Sequence, residues 1–273
     1  MWHWVQELWT AAHRKTVAQT CALHTPIDTA TATPPQEQRI NDRPEEKMEQ
    51  FDGLWRQLRA NRLDSVVSAA EQLLASGSAT EILEASKIMG QVCINRRRYA
   101  EASDHFQRVL TLQGSADNWF NLATASVLAG ELEQGETAFE RALELSVEQG
   151  FSTYPSIPYM RLYFCCALSE QGELNAAMNQ INILRRNYES AGNTDQQFLR
   201  QRGLPSLQHT MKVAEGLFLR ARDHFDYESW LGEFANSLDT PGRQLLEHMR
   251  QTLNTPHLEL NGTSNQRLIT PAG

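Results

Sequence analysis

Apolar and small residues between positions 83 and 149 recur at helical spacing, and they recur twice. Trp119, Leu122, Ala123, Gly130, Leu132, Phe139 and Ala142 follow Ser86, Met89, Gly90, Arg97, Tyr99, Phe106 and Val109 at an offset of 33 residues. Within each copy the steps of three and four predict two amphipathic helices, 80–95 with 99–112 and 116–129 with 132–148. Small residues at fixed places (Gly90 and Ala123, with Ala102 and Gly135 opposite) let paired backbones approach, while Phe106 and Phe139 fill the space beyond. A period of this size is the mark of stacked helical hairpins.

The pattern extends in both directions. Phe51, Leu54, Trp55 and Leu58, then Leu63, Val66, Val67, Ala70, Leu73 and Leu74, predict a divergent earlier pair. Gly172-Glu173-Leu174 repeats Gly130-Glu131-Leu132 after 42 residues, which places a further pair at 158–171 and 174–191 behind an inserted loop at 149–157. Beyond residue 193 the period is lost, although helical patterning continues through Leu207, Met211, Ala214, Leu217 and Phe218. A short helix at 227–238 follows, then a helix start with Thr240 as cap and Pro241 in the first turn. Residues 1–24, with Trp2, Val5, Trp9 and Ala12 in three- and four-residue steps, predict an amphipathic helix. Residues 25–44, rich in Thr, Ala, Pro and Gln, predict a flexible tether. The resulting division is 1–24 anchor helix, 25–44 linker, 45–192 repeats, 193–254 helical cap and 255–273 mobile tail.

The segment Trp119-Phe120-Asn121-Leu122-Ala123 resembles the first-helix signature of the tetratricopeptide repeat family. Gly114 and Val147 stand where that family often has a closing proline. The resemblance implies an all-α, right-handed superhelix of helical hairpins whose first helices line a concave, ligand-binding face. By that implication the lining residues are Lys87, Gln91 and Ile94, then Phe120, Asn121, Thr124 and Val127, then Tyr159, Leu162 and Cys166. Glu84, Asn95, Asp117, Leu128, Ser169 and Glu170 stand on the same helix faces. Apolar anchors beside polar groups suit a peptide or helix of another protein. A subset of the family grips the C-terminal carboxylate of heat-shock chaperones. Here Lys87 and Asn121 match that clamp, but Gln91 replaces an asparagine, and Tyr159 and Tyr163 replace a lysine and an arginine. A carboxylate that loses its hydration needs charge-assisted donors, so this ligand is disfavoured.

Composition narrows the alternatives. A net charge of −8 argues against DNA as a general partner, and the sparse aromatics around the basic residues between Arg185 and Arg222 disfavour RNA. That basic stretch is instead a second contact surface for an acidic partner. Arg96-Arg97-Arg98 reads as a solvated turn. Four cysteines, at 21, 93, 165 and 166, show no metal-ligand spacing and read as packing thiols in a reducing compartment. No catalytic motif, metal site or cofactor fingerprint is found. The expectation is a cytoplasmic, non-enzymatic adaptor or assembly chaperone. A peripheral membrane or secretion-associated factor anchored by Trp2, Val5 and Trp9 is the alternative, and a homodimer is compatible with either. An enzyme using His209, Asp223 and His224 is a third reading.

Overall fold

Four times along the chain a helix ends in the same way. In the computed structural model, which describes residues 44–150 and 155–255, the turn residue is Asn61, Arg97, Gly130 or Gly172, with φ of 56°, 59°, 87° and 87°. The residue after each (Arg62, Arg98, Glu131, Glu173) has φ between −75° and −91° and ψ between 60° and 66°. Each turn also closes with the same two backbone bonds. Gly130 N–H donates to Val127 and Glu131 N–H to Ser126, both at 2.9 Å, and the other three turns repeat that spacing. A left-handed residue directs these N–H groups at carbonyls that the helix end would otherwise leave unpaired. Glycine and asparagine take that conformation easily, whereas Arg97 carries a Cβ into it.

These turns join α1 (Pro44–Arg59) to α2 (Leu63–Ser76), α3 (Ala79–Asn95) to α4 (Tyr99–Leu112), α5 (Ala116–Leu128) to α6 (Leu132–Glu148) and α7 (Ile157–Gln171) to α8 (Leu174–Ala191). There follow α9 (Gln196–Gln201), α10 (Leu207–Ala221), α11 (Tyr227–Asn236) and α12 (Thr240–Asn254). The described residues form no strand. The helices pack in adjacent pairs, and substantial contacts link elements no more than three apart in the chain. No helix among the described residues is long and apolar enough to cross a membrane. The predicted anchor at 1–24 (Trp2, Val5, Trp9), nearly all of the linker at 25–44, and the tail after Thr255 lie outside the described residues.

The predicted small residues do allow close approach. A Cβ on Gly135 of α6 would stand 2.4 Å from Val127 Cγ2 and 3.1 Å from the Ala123 carbonyl oxygen of α5. A Cβ on Gly90 of α3 would stand 2.6 Å from the Phe106 ring of α4. Phe139 then stacks on Phe164 of α7, with centroids 4.0 Å apart, and so ties the third pair to the fourth. One buried cluster joins α1, α2 and the near side of α3, and a second runs from Cys93 to Leu253. The C-terminal helices therefore share a continuous core with the preceding helix pairs. Trp230 of α11 fastens them: its indole N–H donates to Asn182 at 2.7 Å, and the Arg185 guanidinium lies 5.1 Å from its ring centre.

The start of α12 differs from expectation. Its cap is Asp239 and not Thr240, because the Asp239 carboxylate accepts from Gly242 N–H at 3.0 Å. The same carboxylate accepts from the Thr194 N–H at 2.9 Å and the Thr194 hydroxyl at 2.5 Å, so it ties the loop after α8 to α12. Burial alone would raise its pKa. The Thr194 and Gly242 hydrogen bonds, with Arg243 nearby, outweigh burial and hold the carboxyl below its ordinary value.

Urea unfolding should show Gly90→Ala and Gly135→Ala each losing about 1–3 kcal/mol to overpacking. Gly216→Ala and Gly232→Ala, where a Cβ meets open space, should gain about 0.5–1 kcal/mol of helix stability. Asp239→Ala should cost about 1–2 kcal/mol at pH 7. Because the folded pKa is depressed, that cost is fully present above the ordinary carboxylate range and fades as pH falls through the folded value. Unfolding midpoints of wild type and variant should therefore converge in acid.

Candidate functional site

Helices α3, α5 and α7 carry the residues expected to bind, and their starts are set locally. Ser78 and Glu81 form a reciprocal capping box at α3, with Ser78 Oγ accepting from Glu81 N–H and Glu81 Oε2 accepting from Ser78 N–H. At α7 the Ser156 hydroxyl instead donates to the Gly203 carbonyl at 2.5 Å, which ties the helix start to the turn between α9 and α10. Offsets of 33 and 42 residues make Lys87, Phe120 and Leu162 equivalent, as are Gln91, Thr124 and Cys166.

The apolar members of this set are closed into the core. Ile94, Phe120 and Val127 are at most 4 % exposed and Leu162 is fully buried. Val127 packs against Gly135, which accounts for its burial. Leu128 is equally enclosed. Lys87, Gln91, Asn121 and Thr124 are buried as well, while Tyr159 and Cys166 keep part of their surface. The face therefore differs in kind from the predicted one, with its chemistry residing in polar groups.

Two small networks organise those groups. Lys87 Nζ donates to Glu84 Oε1 at 3.2 Å and to Gln113 Oε1 at 3.4 Å, and Asn118 Nδ2 donates to the Gln113 carbonyl at 2.9 Å. One turn further along α3, Gln91 Nε2 donates to Asn95 Oδ1 at 3.2 Å. Gln91 Oε1 and Asn95 Nδ2 are left buried with no hydrogen-bond partner, as is Asn118 Oδ1. Each unmet group costs about 1–3 kcal/mol. Rotating both carboxamides by 180° exchanges the bonded atoms but still leaves one acceptor and one donor unmet. Thr124 does not share the problem, because its hydroxyl donates to the Phe120 carbonyl at 3.0 Å.

On α7, burial pushes the Cys165 thiol up to about 12, and burial also raises Cys166 well above its ordinary value, with Cys165 and Glu170 adding to the effect. Neither is poised as a nucleophile. Burial also raises the Tyr159 hydroxyl, opposed by the nearby Arg200 of α9. Gln113, Asn118 and Arg200 were absent from the predicted face. Gln113 and Arg200 lie outside the first helices, and only tertiary packing brings them to it.

The proposed enzyme residues do not converge. His209 lies in a cleft of about 560 Å³ between α10 and α12, with His248, Lys212 and Glu215. Asp223 and His224 are exposed past the far end of α10, about 20 Å away at 1.5 Å per residue. The described residues hold no group of three or more His, Cys, Asp or Glu that could hold a metal ion. Part of the basic stretch is engaged internally: Arg185 pairs with Glu189 and Glu233, Lys212 with Glu215, and Arg220 donates to Ser169. Arg96 likewise pairs with Asp64, and Arg98 with Glu101. No protein-family model, no curated protein and no solved structure matches this chain.

The depth of α7 is open to direct measurement. At pH 8, iodoacetamide should leave Cys165 unmodified in the native chain and alkylate it in urea, as read by peptide mass spectrometry. Rapid native labelling of Cys165 would contradict the described packing.

Proposed function

We propose that this chain is a tetratricopeptide-like right-handed superhelix serving as a cytoplasmic, non-enzymatic adaptor or assembly chaperone. In this reading it holds an extended segment of another protein against a concave face built by α3, α5 and α7. The four matching hairpin turns and the restriction of packing to neighbours support stacked repeats. The observation that carries the binding role is that α3 holds one unmet acceptor, Gln91 Oε1, and one unmet donor, Asn95 Nδ2. A main-chain peptide group offers one N–H and one C=O, the complement of that pair. Lys87, one turn earlier on α3, provides a further polar position.

This chemistry reads backbone before side chains. Selectivity then comes from what flanks the pair, with Tyr159 and the Arg200 guanidinium at the α7 end. Recognition of main chain suits a partner presented in extended form, such as a subunit awaiting assembly.

Peptides selected on the full chain from a random display library should lose about 10- to 100-fold in affinity for the Gln91→Leu, Asn95→Leu double variant. Two hydrogen bonds of about 1–1.5 kcal/mol each set that scale. N-methylation of one peptide bond in the ligand should cost wild type a similar factor and the double variant nothing further. A selected set that binds both proteins equally would remove the α3 face from the function.

A further inference from the structure

The buried core divides in two, and the division falls on α3. Ala85, Ile88 and Val92 of α3 belong to one cluster with α1 and α2, where Trp55, Leu58 and Val66 are at most 2 % exposed. Cys93 and Ile94, in the last turn of the same helix, belong to the second cluster, which runs on to Leu253. The helix also buries three polar side chains, Ser86, Lys87 and Gln91, and both Ser86 Oγ and Gln91 Oε1 lack a hydrogen-bond partner. Contiguous apolar burial makes helices open together. Where it is interrupted, one side can open at lower free energy than the whole.

Among the described helices the substantial contacts of α1 run only to α2 and α3, and those of α2 only to α1 and α3. Two ion pairs supplement them, Lys47 with Glu81 at 3.6 Å and Asp64 with Arg96 at 2.5 Å. The Asp64 carboxylate is fully exposed, so water and salt screen the second pair. The start of α3, in contrast, is secured by its own reciprocal cap between Ser78 and Glu81. Only Gly77 and Ser78 separate α2 from α3, and Gly77 is left-handed, with φ of 35°. Glycine crosses between left- and right-handed conformations without the steric penalty of a Cβ, so the link can pivot.

We propose that α1 and α2 form a releasable cover, which swings away as a unit about Gly77 while α3 stays on α4. The α3–α4 contact, with the Phe106 ring against Gly90, is untouched by that movement. Release uncovers an apolar strip, Ala85, Ile88 and Val92, that is no more than 1 % exposed in the closed state. The lost burial is confined to the α1–α2 cluster, so the opened chain keeps the whole of the second cluster. The strip is presented only for the fraction of time that the cover is away, and any change that loosens α1 or α2 raises that fraction. Release needs no ligand on Gln91 or Asn95.

Hydrogen exchange of the full chain at neutral pH, read by mass spectrometry, should give the α1 and α2 amides one shared opening, with exchange about 100-fold or more faster than at α5 and α8. Its urea dependence should be weaker than that of global unfolding, because less surface is exposed. Leu58→Ala should speed α1 and α2 exchange by about tenfold or more, up to complete loss of their protection, and leave α5 and α8 unchanged. An Ala85→Cys substitution places a thiol on the covered strip. Iodoacetamide should alkylate that thiol in the native chain, faster when Leu58→Ala is added, while Cys165 stays unmodified. A single opening shared by α1 through α8, exchange graded residue by residue along α1 and α2, or a Leu58→Ala effect that spreads equally to α8 would overturn the proposal. So would an Ala85→Cys thiol as inert as Cys165.

Discussion

The contact between α5 and α6 at Gly135 organises the rest of the molecule. With no Cβ there, Val127 Cγ2 and the Ala123 carbonyl can sit where a side chain would otherwise intrude. Close approach at that point, with α4 and α7 packed on the same helix, leaves Phe120 through Leu128 buried on every side of α5, and it sets Phe139 against Phe164 of the next pair. A methyl group here would not merely add volume. It would separate two helices whose burial depends on contact.

Dense packing has a second consequence, and it bears on function. Helices that nest this closely draw their facing residues inward, so that side chains suited to an open surface become buried. Ile94, Phe120, Val127 and Leu162 are absorbed into the core. Gln91, Asn95 and Asn118 are drawn in too, but their hydrogen-bonding capacity is not fully met. An interior organised for stability alone would place aliphatic side chains at those positions, since an apolar replacement leaves no group unpaired. Packing alone does not account for the retained amides, and the proposed function begins from them.

How much of this was legible in the sequence depends on the residue. Gly90, Ala102, Phe106, Gly135 and Phe139 announced the hairpins because close approach permits few residue types, and the helix limits at Tyr99–Leu112, Leu132–Glu148 and Leu174–Ala191 follow the pattern residue for residue. The cap at Asp239 was missed because Thr240 beside Pro241 is an equally good local signal, and only Thr194, 45 residues away, decides between them. Which face residues stay open was not legible at all. Burial of Val127 depends on a glycine eight positions later, and the placement of Gln113 and Arg200 on the loop after α4 and on α9. Local periodicity reports which side of a helix faces in, but not what a neighbouring helix will later cover.

The most direct measurement is of the α3 carboxamides themselves. In ¹⁵N-resolved spectra of the full chain, the side-chain NH₂ signals of Gln91 and Asn95, assigned through the leucine variants, should shift together when a library-selected peptide is added. Asn95 Nδ2, which has no acceptor in the free protein, should gain a hydrogen-bond coupling to the peptide. Peptide binding that leaves both carboxamides unmoved would contradict the account.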